Sequence, residues 1–255
     1  MAETLLLGGM DFMTGFIDIH THILPGADDG AGNQAQALAM VRQAYEDGTR
    51  AIVLTPHYRG RFKATDLQER FDRFSELVRR EIPEMKLYLG SEIYYEQATP
   101  EALLAKQALT INHSPYCLLE FWPGAVKAQV LSGVWETVRY GYIPILAHPE
   151  RYGIFRKEPK LIDQVLDMGA LLQLNADSVL GKRGWGIARF CRRLLKEQKV
   201  HFIASDAHDV KNRPPRLQKC WQKVCRRWGE AYAAALFYDN ADKMIAEGNK
   251  GEDYG

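Results

Sequence analysis

Seven apolar, β-rich runs punctuate this chain, with amphipathic helical stretches between them, and that alternation constrains the fold more than any other feature. The runs lie at about Phe16–His20, Ala51–Thr55, Lys86–Ser91, Tyr116–Phe121, Ile143–Ala147, Leu171–Asn175 and His201–Ser205. Strands that alternate with helices imply an α/β fold with a largely parallel sheet covered by helices. Gln34 to Asp47 carries Leu38, Val41, Ala44 and Tyr45 on one face and stops at Gly48, a C-cap signal. Thr65 to Glu81 opens on a Thr65/Gln68 capping box and repeats Leu67, Phe71, Phe74 and Val78. Further helices are expected over 128–139, 159–168, 185–196 and 216–247, the last broken near Gly229. About seven strands in 255 residues without a clear linker favour one closed or nearly closed β/α barrel over two domains. The expected division is an N-terminal extension over 1–15, a single domain over 16–247 and a flexible tail over 248–255.

Bulk properties exclude several function classes. Basic and acidic residues nearly cancel, 33 against 32, which argues against a general nucleic-acid or membrane-surface binder. No apolar run approaches the roughly 18–20 residues that cross a bilayer, and Leu5-Leu6-Leu7 lacks the basic leader of a signal peptide. Cys117, Cys191, Cys220 and Cys225 show no C-x-x-C spacing and fit free thiols in a reducing cytoplasm. Nothing in the sequence sets the oligomeric state.

The chemistry gathers where the strands end. In a β/α barrel the C-terminal strand ends and the loops after them converge on one mouth. Taken in order, those positions give His20 and His22, Asp29 in the next loop, His57, Glu92, Glu120, His148, and finally Asp206 with His208. A single strand-end histidine is more often a satisfied structural residue than a ligand, and a lone carboxylate is usually a helix cap. Nine such groups at six of seven strand ends are not a random placement. His113, in a turn, and His201, which begins a strand, fall outside the pattern.

Histidine and carboxylate without thiolate disfavour a structural zinc site and suit Mn²⁺, Fe or Zn²⁺ in a catalytic cluster. Three divalent ions against Asp29, Glu92, Glu120 and Asp206 leave a balance of about +2, which attracts a phosphate dianion. Such ions lower the pKa of bound water toward ~7. Arg151 and Arg213 follow His148 and His208 and supply guanidinium forks suited to phosphate oxygens. Arg59, Arg61 and Lys63 form a basic loop after His57. Cys220 to Arg226 matches the Cys-x5-Arg pattern of cysteine-dependent phosphatases. Its intervening residues are bulky and helical, whereas that chemistry needs a tight phosphate-encircling loop.

Asp18-Ile19-His20-Thr21-His22-Ile23-Leu24-Pro25-Gly26-Ala27-Asp28-Asp29-Gly30 resembles the N-terminal motif of the bacterial capsule-associated tyrosine phosphatases of the PHP (polymerase and histidinol phosphatase) superfamily. The similarity continues through Thr55-Pro56-His57-Tyr58, Gly90-Ser91-Glu92-Ile93, Leu119-Glu120-Phe121, Ala147-His148-Pro149-Glu150-Arg151-Tyr152, Asn175-Ala176-Asp177-Ser178, Ser205-Asp206-Ala207-His208 and Arg213. The resemblance implies a distorted seven-stranded (β/α) barrel of PHP type, similar to a TIM barrel, and a trinuclear, usually manganese-dependent centre that hydrolyses phosphotyrosine on a partner protein. That partner is an autophosphorylating bacterial tyrosine kinase with a tyrosine-rich tail, which controls capsule or exopolysaccharide synthesis. Carried over, the metal ligands are His20, His22, Asp29, His57, Glu92, Glu120, His148, Asp206 and His208, with Glu92 bridging. Arg151 and Arg213 contact phosphate, and Asp206 and His208 join them as catalytic residues. The rival within the superfamily is hydrolysis of histidinol phosphate or another small phosphomonoester; the rival outside it is a non-catalytic metal-binding platform.

Overall fold

The structure, a computed structural model, describes residues 15–58 and 63–249. The expected extension up to Thr14, Arg59 and Arg61 of the basic loop, and the tail from Lys250 onward lie outside the described residues. Nine strands run through the described part: β1 (Phe16–Thr21), β2 (Thr49–Leu54), β3 (His57–Tyr58), β4 (Lys86–Leu89), β5 (Glu92–Tyr94), β6 (Tyr116–Glu120), β7 (Ile143–Ala147), β8 (Leu171–Asn175) and β9 (Phe202–Ala204). Every pairing is parallel, in a three-stranded sheet of order β1-β2-β4 and a six-stranded sheet of order β3-β5-β6-β7-β8-β9.

The expected count of seven is corrected because two runs split. Pro56 has no N–H to give a ladder, so β2 stops before it and β3 restarts after it. The next run divides opposite that break, at Gly90-Ser91. Gly90 N donates to Leu54 O (2.9 Å) and Glu92 N to Pro56 O (3.2 Å), which carries the chain from one sheet to the other. At the far side, an isolated bridge pairs Thr21 with Ala207. There Asp206 N donates to His20 O (2.9 Å) and His22 N to Ala207 O (2.8 Å).

Alternation along the strands sorts the apolar side chains into two sets. One set, Ile17, Ile19, Val53, Leu118, Ile145 and Ala204, packs together with Met244 and Ile245 of the helix Asn240–Asn249. The other set, including Leu119, Leu146, Leu172 and Ile203, packs against Val130 and Val134 of the helix Lys127–Arg139 and Leu194 of the helix Trp185–Lys196. Polar residues interrupt this pattern toward the site, among them Asp18 and Gln173, both buried.

Helix ends follow local hydrogen bonding. The helix Gln34–Glu46 is capped by Asn33, whose side chain accepts from Gln36 N (3.0 Å), and closes at Gly48 with φ +102°. The second helix, Ala64–Glu81, departs from the expected Thr65/Gln68 box. Its first turn is held by Asp66, which accepts from Lys63 N (3.3 Å), while Gln68 bonds Asp72 instead. The segment expected to be helical over 159–168 is helical over Leu161–Asp167. The long C-terminal stretch divides at Gly229 (φ +92°) into Gln218–Trp228 and Glu230–Ala234, and a wide turn at Ala235–Asp239 leads into Asn240–Asn249.

A candidate metal centre at the strand ends

β1 delivers the first pair. His20 and His22 lie two residues apart on an extended backbone, and their Nε2 atoms come within 3.2 Å. The following loop turns back so tightly that a Cβ on Gly30 would stand 1.8 Å from His22 O. Only glycine fits there, and the turn places Asp28 and Asp29 against the histidines. β3 contributes His57, β5 contributes Glu92, β6 ends at Glu120, and His148 follows β7. Asp206 and His208 follow β9. His148 (φ +33°) and Asp206 (φ +54°) both sit in the left-handed region, a strained conformation that turns their side chains inward as the strand ends.

All nine residues singled out in the sequence meet. Donor atoms lie within 4.8 Å of one another in four overlapping groups: His22, Asp29, His57 and His208; His20, His22 and Glu92; His20, His148 and Asp206; and His57, Glu92 and Glu120. Glu92 is the centre. Its Oε2 lies 3.2 Å from His20 Nε2, 3.2 Å from His22 Nε2 and 3.1 Å from His57 Nδ1, and its Oε1 lies 2.9 Å from His148 Nε2. Asp29 differs from the others in being 68% exposed, on the solvent side, 3.5 Å from His57 Nε2 and 3.7 Å from His208 Nε2.

The arrangement lacks its own compensation. Glu92 Oε2, Glu120 Oε2 and His57 Nδ1 are buried without a hydrogen-bond partner, a costly state for polar atoms that a shared cation would relieve. Protonation shows the same need. Burial opposes charge on His20, yet the Glu92 and Asp206 carboxylates outweigh it and raise the His20 pKa. Burial likewise opposes charge on His22, but the Asp206, Asp28 and Glu92 carboxylates beside it push its pKa well up. Despite burial, His20 holds Glu92 and Asp206 well below the usual carboxylate range. The protein alone therefore draws protons into the space between these groups, and a divalent ion is the natural replacement. Burial and the neighbouring Arg151 bring His148 down to about 4. Burial and His22 bring His208 down to about 3. Both are neutral lone-pair donors. Glu120 moves the other way, raised by burial and by the charge of Glu92.

Arg151 and Arg213 meet on one oxygen. Each places Nη2 2.6 Å from Asp206 Oδ2, and each side chain keeps about a quarter of its surface exposed. Asn175 Nδ2 donates to the same oxygen at 2.7 Å, so Oδ2 is saturated and Oδ1 is left facing His20 and His22.

Sequence reasoning missed four supporting residues. Asp28 Oδ2 lies 2.6 Å from His22 Nδ1, Gln173 Oε1 lies 3.0 Å from His20 Nδ1, and Asn175 holds Asp206. Glu150, fully buried, accepts from Asn175 N at 3.1 Å. One signal was available: a ligating imidazole needs an acceptor for its other nitrogen, and Asp28 stands beside Asp29 in the same loop. The Cys-x5-Arg match is structurally empty. Cys220 is buried in the helix Gln218–Trp228, and burial pushes its thiol pKa up, far from a reactive thiolate.

Comparison with known proteins places this geometry. The model of a family described as capsular polysaccharide synthesis, CpsB/CapC, matches residues 16–246. Tyrosine-protein phosphatase YwqE of Bacillus subtilis is 36% identical over 233 residues, covering 90% of this chain and 91% of that protein. Tyrosine-protein phosphatase CpsB of Streptococcus pneumoniae is 31% identical over 239 residues, covering 91% and 98%. A crystal structure from work on YwqE and CpsB, reported as unique metal-dependent tyrosine phosphatases, superposes with a TM-score of 0.85 at 32% identity, covering 91% of this chain and 94% of that one. The phosphotriesterase homology protein of Escherichia coli shares only the fold, with a TM-score of 0.61 at 13% identity over 92% of this chain and all of that one. By sequence and by structure, the chain belongs to the CpsB/CapC capsular polysaccharide synthesis family.

Proposed function

We propose that the protein is a metal-dependent protein-tyrosine phosphatase. One observation carries the reading: nine histidine and carboxylate side chains, Glu92 at their centre, form four overlapping donor groups in a member of a family whose relatives are tyrosine-protein phosphatases. His20, His22, Asp29, His57, Glu92, Glu120, His148, Asp206 and His208 would hold a trinuclear centre. A hard oxygen and imidazole donor set suits Mn²⁺, with Fe or Zn²⁺ as the alternatives. Bound divalent ions would supply a water nucleophile near neutral pH and Lewis-acid stabilisation of the phosphoryl oxygens.

The chain's own residues supply the rest. Arg151 and Arg213 are anchored through Nη2 to Asp206 and hold their partly exposed guanidiniums at the edge of the cluster, where they would meet the phosphate oxygens of a bound ester. Asp206 thereby couples the arginines to His20 and His22. Burial and His22 lower the His208 pKa, which suits it as a lone-pair donor. A phenolate leaving group, with a pKa near ~10, needs little acid help.

The hydrogen bonds from Gly90, Glu92 and Asp206 across the breaks between sheets support one distorted barrel of PHP type as the unit that assembles this mouth. The family's tie to capsular polysaccharide synthesis supports a substrate in that system, with an autophosphorylating bacterial tyrosine kinase bearing a tyrosine-rich tail as the partner. No helix among the described residues is long and apolar enough to cross a membrane. Four free cysteines support a cytoplasmic setting. Rates on a phosphotyrosine peptide and on histidinol phosphate, after Mn²⁺ reconstitution, test the substrate class. Faster turnover of the peptide is expected, and preference for histidinol phosphate would reassign the enzyme.

A further inference from the structure

β8 ends without an ionisable group, yet two of its amides connect opposite sides of the cluster. Asp206 Oδ2 faces two guanidinium donors, Arg151 and Arg213 Nη2 at 2.6 Å, and so is an acceptor; the atom of Asn175 that lies 2.7 Å from it is the amide nitrogen. Asn175 Oδ1 then faces away, 2.9 Å from Gln173, and accepts from Gln173 Nε2. Gln173 Oε1 is thereby turned toward His20 Nδ1 at 3.0 Å. A second contact fixes the same orientation: His148 N, a donor by nature, lies 3.3 Å from Gln173 Oε1. An oxygen facing His20 Nδ1 requires a proton there. The backbone of Asn175 is itself held by Glu150, and Gln173 is fully buried, so no water competes for these bonds.

We propose that Gln173 and Asn175 form an amide relay, anchored on Asp206, that fixes His20 with its proton on Nδ1 and its Nε2 lone pair turned into the cluster. The relay ties two proposed ligands from opposite ends of the chain, His20 in β1 and Asp206 after β9. Gln173 and Asn175 are positioning residues, since neither faces the substrate. The consequence for metal binding rests on the metalloenzyme reading; the tautomer itself does not.

Zn²⁺ provides a diamagnetic probe. In long-range proton–nitrogen spectra of histidine-labelled, zinc-loaded wild-type protein, with His20 assigned by difference against His20→Asn, the His20 proton is expected on Nδ1. A proton on Nε2 would overturn the relay. Gln173→Met removes the acceptor at similar volume and is expected to weaken Zn²⁺ affinity, measured by chelator competition, by roughly 10–100-fold. Wild-type affinity in Gln173→Met contradicts the proposal. If Gln173→Met fails to fold, the wild-type spectrum still decides. If the wild type takes up no zinc, the metalloenzyme reading fails, and the spectrum of the metal-free protein at alkaline pH decides the relay on its own.

Discussion

Asp28 Oδ2 lies 2.6 Å from His22 Nδ1 and 2.9 Å from the backbone nitrogen of His57, so one carboxylate oxygen holds two of the nine clustered residues. Its other oxygen accepts from Gly30 N at 3.0 Å, which closes the loop that carries Asp29. Burial resists this charge, but His22 overcomes it and holds Asp28 well below the usual carboxylate range.

Both Asp28 oxygens face donors, and an asparagine offers only one acceptor atom. Asp28→Asn therefore leaves an amide N–H opposed to a donor on one side or the other. We expect metal affinity to fall by roughly 10–100-fold, measured by chelator competition. Unchanged affinity would remove Asp28 from the support of the centre.

Arg151 and Arg213 are expected to act on substrate and not on metal. Replacing either with lysine keeps a positive charge near Asp206 but loses the planar fork. A fall in kcat/KM on the order of 10²-fold is expected for each, by analogy with the loss of one transition-state donor. Metal content, read by elemental analysis, should stay at the wild-type level. Loss of metal in step with activity would show that the arginines merely hold Asp206.

Gly30→Ala tests the tight loop. The new methyl would fall 1.8 Å from His22 O and 2.5 Å from His22 Cβ, so the loop must move and the Ala31 N to His22 O bond (3.0 Å) must stretch. Urea unfolding of the metal-free protein should show a loss of about 1–3 kcal/mol. Wild-type stability would mean that the loop has room the structure does not show.

Cys220 should be dispensable for chemistry. Its thiol is buried and its pKa raised, so iodoacetamide at neutral pH should leave activity intact, and Cys220→Ala should keep the wild-type kcat and KM on an aryl phosphate. A collapse of kcat in a variant that still folds would revive cysteine-based catalysis.

The sequence carries the donors more plainly than it carries their supports. His20, His57, Glu92 and His148 are visible because each ends an apolar run, where a charged or imidazole side chain breaks the pattern. Gln173 and Asn175 end a run just as regularly, but a neutral amide there reads as an ordinary polar terminus, and only its partners across β8 give it meaning. Asp28 is masked by its neighbour Asp29, since one is buried against His22 and the other exposed, a difference set by the fold of a single loop. The seven runs likewise mark where the strands pass but not where they divide. The breaks at Pro56 and Gly90 face each other across two runs, and the shift from β2-β4 to β3-β5 pairing is a tertiary fact.

The most direct test of the account is hydrolysis of a phosphotyrosine peptide by protein stripped with a chelator and then reconstituted. The account predicts no turnover in the stripped protein, full recovery with Mn²⁺, and no recovery in Glu92→Gln, where the atom shared by three histidines loses its charge. Wild-type turnover in protein shown by elemental analysis to be free of metal would contradict it.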